Sequence, residues 1–137
     1  MTRIESNITD LRTDVGEVFA FLSDLRNHRK LMPSEVVNWQ GDQDTCSYTI
    51  TGTGSVHLKV SERVRDRKVV LEPNGRIPFP FTVEWIAQQT GSGCRVQVIM
   101  EAELNAVLKM MAVRPLTNFL NMQIDALSKI FNERERA

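Results

Sequence analysis

The sequence predicts an α+β fold in which a curved antiparallel β-sheet of about seven strands packs against one long C-terminal helix, with two short helices after strand 1. Three observations support this fold class. Residues 37–104 alternate apolar and polar side chains, as half-buried strands do. The strand segments follow one another over short turns, and parallel pairing would need longer crossovers. After residue 104 the apolar residues change to a helical spacing.

The first strand is predicted over residues 3–11, with Ile4, Ser6 and Ile8 on one face. Further strands are predicted around Val37 and Trp39 and in several later segments, which are residues 45–51, 56–61, 69–71, 79–85 and 94–104. Turns rich in Gly, Pro, Asn or Asp separate most of them, a charged turn follows residues 56–61, and the last strand runs directly into the helix.

Two short helices are predicted between the first strand and the rest of the sheet. Asp14 is expected to cap a helix that runs to about residue 23, because Glu17 follows three residues later in a capping-box pattern. Asp24 is expected to cap a second helix over residues 25–31, which Pro33 ends.

The C-terminal helix carries an irregularity. Asn105 suits its N-cap, but Pro115 removes a backbone hydrogen bond ten residues later. We therefore expect a helix that is kinked near residues 111–114 or made of two pieces. Its apolar residues recur at helical spacing at Leu104, Leu108, Met111, Phe119, Met122, Ala126 and Ile130.

Length and charge limit the classes of function. A chain of 137 residues is expected to form a single domain spanning 1–137, with a sizeable core. The 17 basic and 17 acidic residues balance, which argues against nucleic acid as a partner. The densest basic cluster, Arg63, Arg65, Arg67 and Lys68, suits either the solvated end of a hairpin or a local binding patch.

The cysteine usage and the N-terminus favour a cytoplasmic protein. Cys46 and Cys94 are far apart in sequence, and we expect both to be reduced and structural. The first residues lack the apolar segment of a secretory signal. No apolar run approaches the ~18 residues that a membrane span needs.

The order of these elements resembles the helix-grip, START-like superfamily, also called SRPBCC, which includes polyketide cyclases, lipid carriers and plant pollen allergens. Three stretches carry the resemblance. Residues 15–28 (VGEVFAFLSDLRNH) look like the opening helix and turn of the family. Residues 75–85 look like its penultimate strand, and residues 104–116 look like the strand-to-helix junction of small bacterial members. The resemblance implies a cavity between sheet and helix that binds a small hydrophobic ligand.

The cavity wall is expected to come from the inward rows of the sheet and the underside of the helix. Met residues supply adaptable surface there. For each residue, core packing and direct ligand contact both remain open. The expected ligand-binding set is Tyr48, Ile50, Val56, Leu58, Phe79, Phe81, Val83, Trp85, Val98, Met100, Leu108, Met111, Leu116, Phe119 and Met122.

Polar candidates for chemistry are few. The Tyr48 hydroxyl is placed inward, where it would bind a ligand or a carbonyl. His28 is expected to be a surface or capping residue, and His57 is expected to face solvent. The sequence indicates no catalytic constellation, no metal site and no cofactor.

Residues 75–81 (GRIPFPF) have an unusual composition. Their two prolines stiffen the segment, and Ile77 and Phe79 would pack either over the cavity mouth as a lid or against the long helix. Arg76 and Arg114 would meet an anionic head group at that mouth.

Three functions follow, in order of preference. The first is binding or transport of a small hydrophobic or amphipathic ligand. The second is a polyketide cyclase- or isomerase-like reaction in the same cavity, with Tyr48 or His28 acting on the substrate. The third is a protein-interaction module, as in chaperone-activating relatives of the fold, with an apolar patch around residues 77–81.

Overall fold

The structure is a computed structural model and describes residues 1–75 and 79–136, with side chains through residue 132. The strands are β1 (Thr2–Glu5), β2 (Thr9–Leu11), β3 (Val36–Gly41), β4 (Thr45–Ile50), β5 (Gly54–Val64), β6 (Lys68–Pro73), β7 (Phe81–Gln89) and β8 (Cys94–Ala102). The helices are α1 (Val15–Ser23), a 3-10 helix (Leu25–Leu31) and α2 (Ala106–Arg136).

The strands form one curved antiparallel sheet in the order β1-β8-β7-β6-β5-β4-β3, and β2 also pairs with β8. The α+β fold class predicted from the sequence is confirmed. The described sheet has eight strands rather than about seven, because the predicted first strand is divided into β1 and β2.

The division of the first strand reverses which residues face the core. Glu5 pairs with Ile99 and Thr9 pairs with Val96, so four steps on one strand oppose three on the other. Such an extra residue moves the following side chains to the opposite face. Ile8 is consequently 57% exposed and Leu11 is buried, so the predicted inward placement of Ile8 is wrong.

A bulge in β3 has a similar effect at the other edge of the sheet. The register shifts between Val37 and Gln40, and Asn38 lies in the left-handed region with φ of 57°. Asn tolerates this conformation better than most residues. The shift leaves Val37 exposed and turns Trp39 inward, where its ring stacks on that of Tyr48 at 5.3 Å and 12°.

Both predicted helix caps before the main sheet are confirmed. The Asp14 carboxylate accepts from the Gly16 N–H at 3.1 Å, and the Asp24 carboxylate accepts from the Arg26 N–H at 3.0 Å. The second helix is of the 3-10 type and ends two residues before Pro33. The two helices pack together, and α1 lies against β6 and β7.

Helix α2 begins as predicted but is not divided in two. The Asn105 side chain accepts from the Leu108 N–H at 2.9 Å, which makes it the N-cap. The helix continues through Pro115 to Arg136, so the expectation of two pieces is wrong. The Thr117 hydroxyl donates to the Val113 carbonyl at 2.7 Å, and these two residues lie two positions on either side of Pro115.

The face that α2 turns to the sheet differs from the predicted one. Leu120, Ile124, Leu127 and Phe131 are buried where the helix packs against β1, β2, β8 and the 3-10 helix. Met111 is 69% exposed and Met122 is 42% exposed, so their predicted inward orientation is wrong. The helix has two adjacent apolar stripes. The spacing of apolar residues in the sequence predicted that the outer stripe would face the sheet, whereas the inner one does.

A helix that crosses a bilayer must be both long and apolar. In the described part of the chain, no helix combines enough length with enough apolar character to cross a bilayer.

Candidate functional site

The candidate site lies between the inner face of the sheet and the first half of α2. The C-terminal half of the helix seals its end of the fold, where Leu127 and Val96 have no exposed surface. Toward the other end, apolar residues on both facing surfaces pack on the core but stay half-buried. They are Ile50, Val56, Phe81 and Val83 on the sheet and Val113, Leu116 and Phe119 on the helix. Partial exposure on both sides indicates an apolar cleft.

The sequence-predicted ligand-binding residues divide into three groups. Tyr48, Leu58, Trp85, Val98 and Met100 are buried in the core. Ile50, Val56, Phe79, Phe81, Val83, Leu108, Leu116 and Phe119 are half-buried. Met111 and Met122 are exposed on the outer side of α2. All members of the half-buried group except Leu108 pack against the core cluster that includes Trp85 and Val98.

His28 is buried rather than on the surface, so that expectation is wrong. Only 2% of the residue is exposed, and its ring meets Trp85 edge to face at 5.7 Å. Its Nε2 lies 2.8 Å from the Leu22 carbonyl oxygen and must donate to it. Burial lowers the pKa of His28 to about 4, and the hydrogen bond only partly offsets this. His28 is therefore neutral near pH 7, and the nitrogen that bonds Leu22 is occupied.

Tyr48 is the polar group that the sheet contributes to the interior. The residue is 6% exposed, and its ring is held by the stack on Trp39. Its hydroxyl is not among the fully buried side-chain atoms that lack a partner in the described residues, where the Ser23 hydroxyl is the one such atom. Burial raises the pKa of Tyr48 well above its ordinary value of 10. The hydroxyl is thus a hydrogen-bond donor and not a base.

Gln123 is a buried polar residue that the sequence analysis did not identify. It is 5% exposed and lies on the same face of α2 as Leu120 and Leu127. Among the described residues, the one hydrogen bond of its side chain runs from Nε2 to the Met32 sulfur at 3.8 Å. Its position within the inner apolar stripe could have revealed it, had that stripe been chosen.

The two cysteines are poor candidates for covalent chemistry. Cys46 and Cys94 are both buried and unpaired. Burial raises the pKa of Cys46 to about 12 and that of Cys94 to about 11. A nucleophilic thiol needs the opposite shift. Within the described residues, no three His, Cys, Asp or Glu side chains come together as metal ligands.

Two of the four residues of the basic cluster at residues 63–68, Arg63 and Lys68, make polar contacts within the protein. The Arg63 guanidinium donates to the carbonyls of Ser23 and Gln43 and to the Asp44 carboxylate, at 2.7 to 3.1 Å. These residues border a shallow polar groove on the surface. The Lys68 ammonium lies 3.4 Å from the Glu84 carboxylate. Arg63 thus joins the end of α1 to the β3–β4 turn.

The predicted lid falls only partly within the described chain. Arg76 and Ile77 lie outside the described residues. Phe79 is half-buried and its ring centroid lies 5.9 Å from that of Phe81, at the edge of the cleft. Arg114 is exposed on α2.

Comparison with known proteins gives matches in structure but not in sequence. No protein-family model matches the chain, and no curated protein is significantly similar to it. A norcoclaurine synthase point mutant from Thalictrum, solved with a transition-state analogue, is 14% identical with a TM-score of 0.78; the match covers 98% of this chain and 96% of that one. XoxI from Bacillus cereus is 10% identical with a TM-score of 0.77, over 98% and 99%.

A third structure is the di-domain aromatase/cyclase StfQ of the steffimycin biosynthetic pathway. It is 12% identical with a TM-score of 0.71, and the match covers 98% of this chain and 52% of StfQ. The aligned regions take in the sheet, the short helices and the long C-terminal helix of the present chain. The chain therefore has the START-like helix-grip fold that its sequence resembles.

Proposed function

We propose that this protein binds a small hydrophobic or amphipathic molecule in the cleft between the sheet and the first half of α2. The observation that carries the proposal is the pair of facing apolar surfaces that stay half-buried, with Ile50 and Val83 on one side and Leu116 and Phe119 on the other. A ligand that filled the cleft would remove both surfaces from water.

Apolar burial would supply most of the affinity. At ~25 cal/mol per Å², burying about 300 Å² of apolar surface contributes roughly 7 kcal/mol before the costs of association. Met32 lies beside this core and provides an adaptable contact. Cys46 and Cys94, buried and unpaired, support a reducing location such as the cytoplasm.

A second candidate is a cyclase- or isomerase-like reaction in the same cleft. It is favoured by the Tyr48 hydroxyl, which belongs to a buried side chain of β4. Because its pKa is raised, this group would polarise a substrate carbonyl by donating a hydrogen bond. His28 gives this candidate little support, since its Nε2 is bonded to the Leu22 carbonyl.

The test of the binding proposal is to fill the cleft. Val83 points inward and is half-buried, whereas Thr82, the preceding residue on β7, points outward and is exposed. We expect Val83→Trp to abolish binding of a hydrophobic passenger and Thr82→Trp to retain it. Native mass spectrometry of each purified protein, followed by denaturing analysis of the released molecule, measures the passenger.

Thermal shifts with fatty acids, sterols and aromatic polyketides complete the experiment. Binding that Val83→Trp removes, in a variant whose melting temperature remains near that of the parent, would support the cleft as the site. A parent protein that carries no passenger and shows no shift with any of these compounds would contradict the proposal. A search for protein partners would then follow.

A further inference from the structure

The accessible sulfur atoms of this protein belong to methionine rather than to cysteine. Both thiols are buried and unpaired. Met100 is buried in the core, and Met32 is half-buried and packs against it. The remaining methionines are exposed, and these are Met1, Met110, Met111 and Met122. The side chain of Met32 therefore lies at the boundary between the core and solvent.

The Met32 sulfur contacts a buried polar side chain. Nε2 of Gln123 donates to this sulfur at 3.8 Å. Gln123 is 5% exposed, and its neighbours on the inner face of α2, Leu120 and Leu127, are buried apolar residues. Because a thioether is a weak acceptor, this bond compensates the amide poorly for the water that it loses on folding.

The contact joins two elements of the fold. Met32 follows the 3-10 helix as its C-cap, and the Met32 N–H donates to the Arg29 carbonyl at 3.3 Å. Gln123 lies in the C-terminal half of α2, and the two helices pack against each other. A stronger acceptor at position 32 would therefore hold α2 more firmly against the end of the 3-10 helix.

We propose that Met32 is a site of reversible oxidation by peroxide, and that its sulfoxide remains in the folded protein as a strong acceptor for Gln123. The thioether attacks one peroxide oxygen with an electron pair, so that an S–O bond forms and the O–O bond breaks. The other oxygen leaves as water with the proton of the transferred one. The sulfur is oxidised and the peroxide is reduced. This inference does not depend on the proposed ligand.

The observed spacing fits the oxidised side chain. A sulfoxide oxygen about 1.5 Å from sulfur and about 2.8 Å from an amide nitrogen, with an angle of about 120° at oxygen, places nitrogen and sulfur about 3.8 Å apart. The Gln123 Nε2 and the Met32 sulfur already have this separation. Rotation about the flexible bonds of Met32 lets an oxygen added from the solvent side turn toward the amide.

The amide changes the usual consequence of methionine oxidation. A sulfoxide is polar and normally disrupts an apolar core, because its oxygen loses water without gaining a donor. At Met32 the Gln123 amide supplies that donor, so the folded state accommodates the oxygen. Methionine sulfoxide reductase, which takes its electrons from a thiol, restores the thioether.

The experiment treats the folded parent, Met32→Leu and Gln123→Leu with hydrogen peroxide. Peptide mass spectrometry measures oxidation at each methionine, and the melting temperature is recorded before and after treatment. Met32→Leu is the matched control, because it retains the exposed methionines. We expect the melting temperature of the parent and of Met32→Leu to change by about 2 °C or less. That of Gln123→Leu should fall by about 5 °C or more, because its sulfoxide lacks the donor.

A second readout follows the amide itself. In ¹H–¹⁵N NMR spectra of the parent, the side-chain N–H signals of Gln123 should move downfield on oxidation and return after treatment with the reductase. Unchanged signals in a protein whose Met32 is oxidised would overturn the inference, whether or not Gln123→Leu folds.

Two further results would also overturn it. One is a melting temperature that falls as far in the oxidised parent as in oxidised Gln123→Leu, since the amide would then give the sulfoxide no support. The other is a Met32 that stays reduced while the exposed methionines are fully oxidised, since peroxide would then not reach its sulfur.

Discussion

At the scale of single residues, the buried imidazole of His28 couples folding to pH. Its pKa falls from an ordinary 6.5 to about 4 in the folded protein, chiefly because burial disfavours the charged form. The unfolded chain therefore takes up this proton at higher pH than the native protein does. The resulting stability is complete above about pH 6.5 and is lost as the pH falls toward about 4.

As the pH falls from about 6.5 to about 4, we expect preferential protonation of His28 in the unfolded chain to lower the free energy of unfolding by about 3 kcal/mol. This follows from 1.36 kcal/mol for each unit of the pKa difference. Urea denaturation at a series of pH values measures this. His28→Gln keeps a nitrogen donor for the Leu22 carbonyl but does not titrate. An equally steep pH dependence in that variant would assign the effect to other groups, such as Asp24 and Asp42, whose pKa values are lowered by hydrogen bonds.

Arg63 offers a second prediction at this scale. Its guanidinium bonds two carbonyls and one carboxylate, and a lysine cannot reproduce that fork. We expect Arg63→Lys to lower the free energy of unfolding by about 1–2 kcal/mol. Arg65→Lys on the same hairpin is the control and should change it by less than about 0.5 kcal/mol. Equal effects in chemical denaturation would show that Arg63 is not a structural clamp.

Residue roles that depend on local sequence were the ones predicted correctly. Asp14, Asp24 and Asn105 were identified as helix caps because a cap bonds backbone N–H groups two or three residues away. The burial of His28 and Gln123 was missed. Their environment comes from residues distant in sequence, such as Trp85 and Met32.

At the scale of elements, the orientation of α2 can be tested with two substitutions. Leu127 has no exposed surface, and Met110 is 88% exposed. We expect Leu127→Ala to lower the free energy of unfolding by about 2–5 kcal/mol, because it leaves a cavity. Met110→Ala should change it by less than about 0.5 kcal/mol. Thermal and urea denaturation of both variants measures this, and a costly Met110→Ala would mean that the outer stripe is covered.

The bulge in β3 makes a separate prediction. Asn38 has a positive φ, which a β-branched residue adopts with difficulty. We expect Asn38→Val to lower the free energy of unfolding by roughly 1–2 kcal/mol and Asn38→Gly to leave it unchanged or raise it. Urea denaturation followed by tryptophan fluorescence also reports on the Trp39 stack. If valine is tolerated as well as glycine, the left-handed conformation is not required.

Element types were predicted better than element faces. Alternation and helical spacing identified every kind of element, but one added residue in β1–β2 or β3 reverses a face without altering composition. Helix α2 has two adjacent apolar stripes, and either could pack against the sheet on sequence pattern alone. In the structure the inner stripe is the one buried where α2 contacts β1, β2 and β8. Among the fifteen proposed wall residues, the predicted orientation depended most on which stripe faces the sheet for three, which are Met111, Met122 and Leu108.

At the scale of the whole molecule, the order of elements sufficed to predict the fold. The sheet, the paired short helices and the terminal helix appear in the expected sequence along the chain. The contents of the cleft were less predictable, because half-burial on two facing surfaces depends on how far α2 stands from β4, β5 and β7. The ligand-binding proposal therefore rests on the facing apolar walls.

The pairing of β1 and β2 with β8 has a consequence for how the protein is made. These strands leave the ribosome about ninety residues before their partner does. Until β8 is synthesised, the sheet edge that it shares with them does not exist, and α2, which follows β8 in the chain, has not yet been made. Closure of the sheet must then wait for β8, and until that strand is made β1 and β2, with the apolar side chains of Ile4 and Leu11, lack their pairing partner.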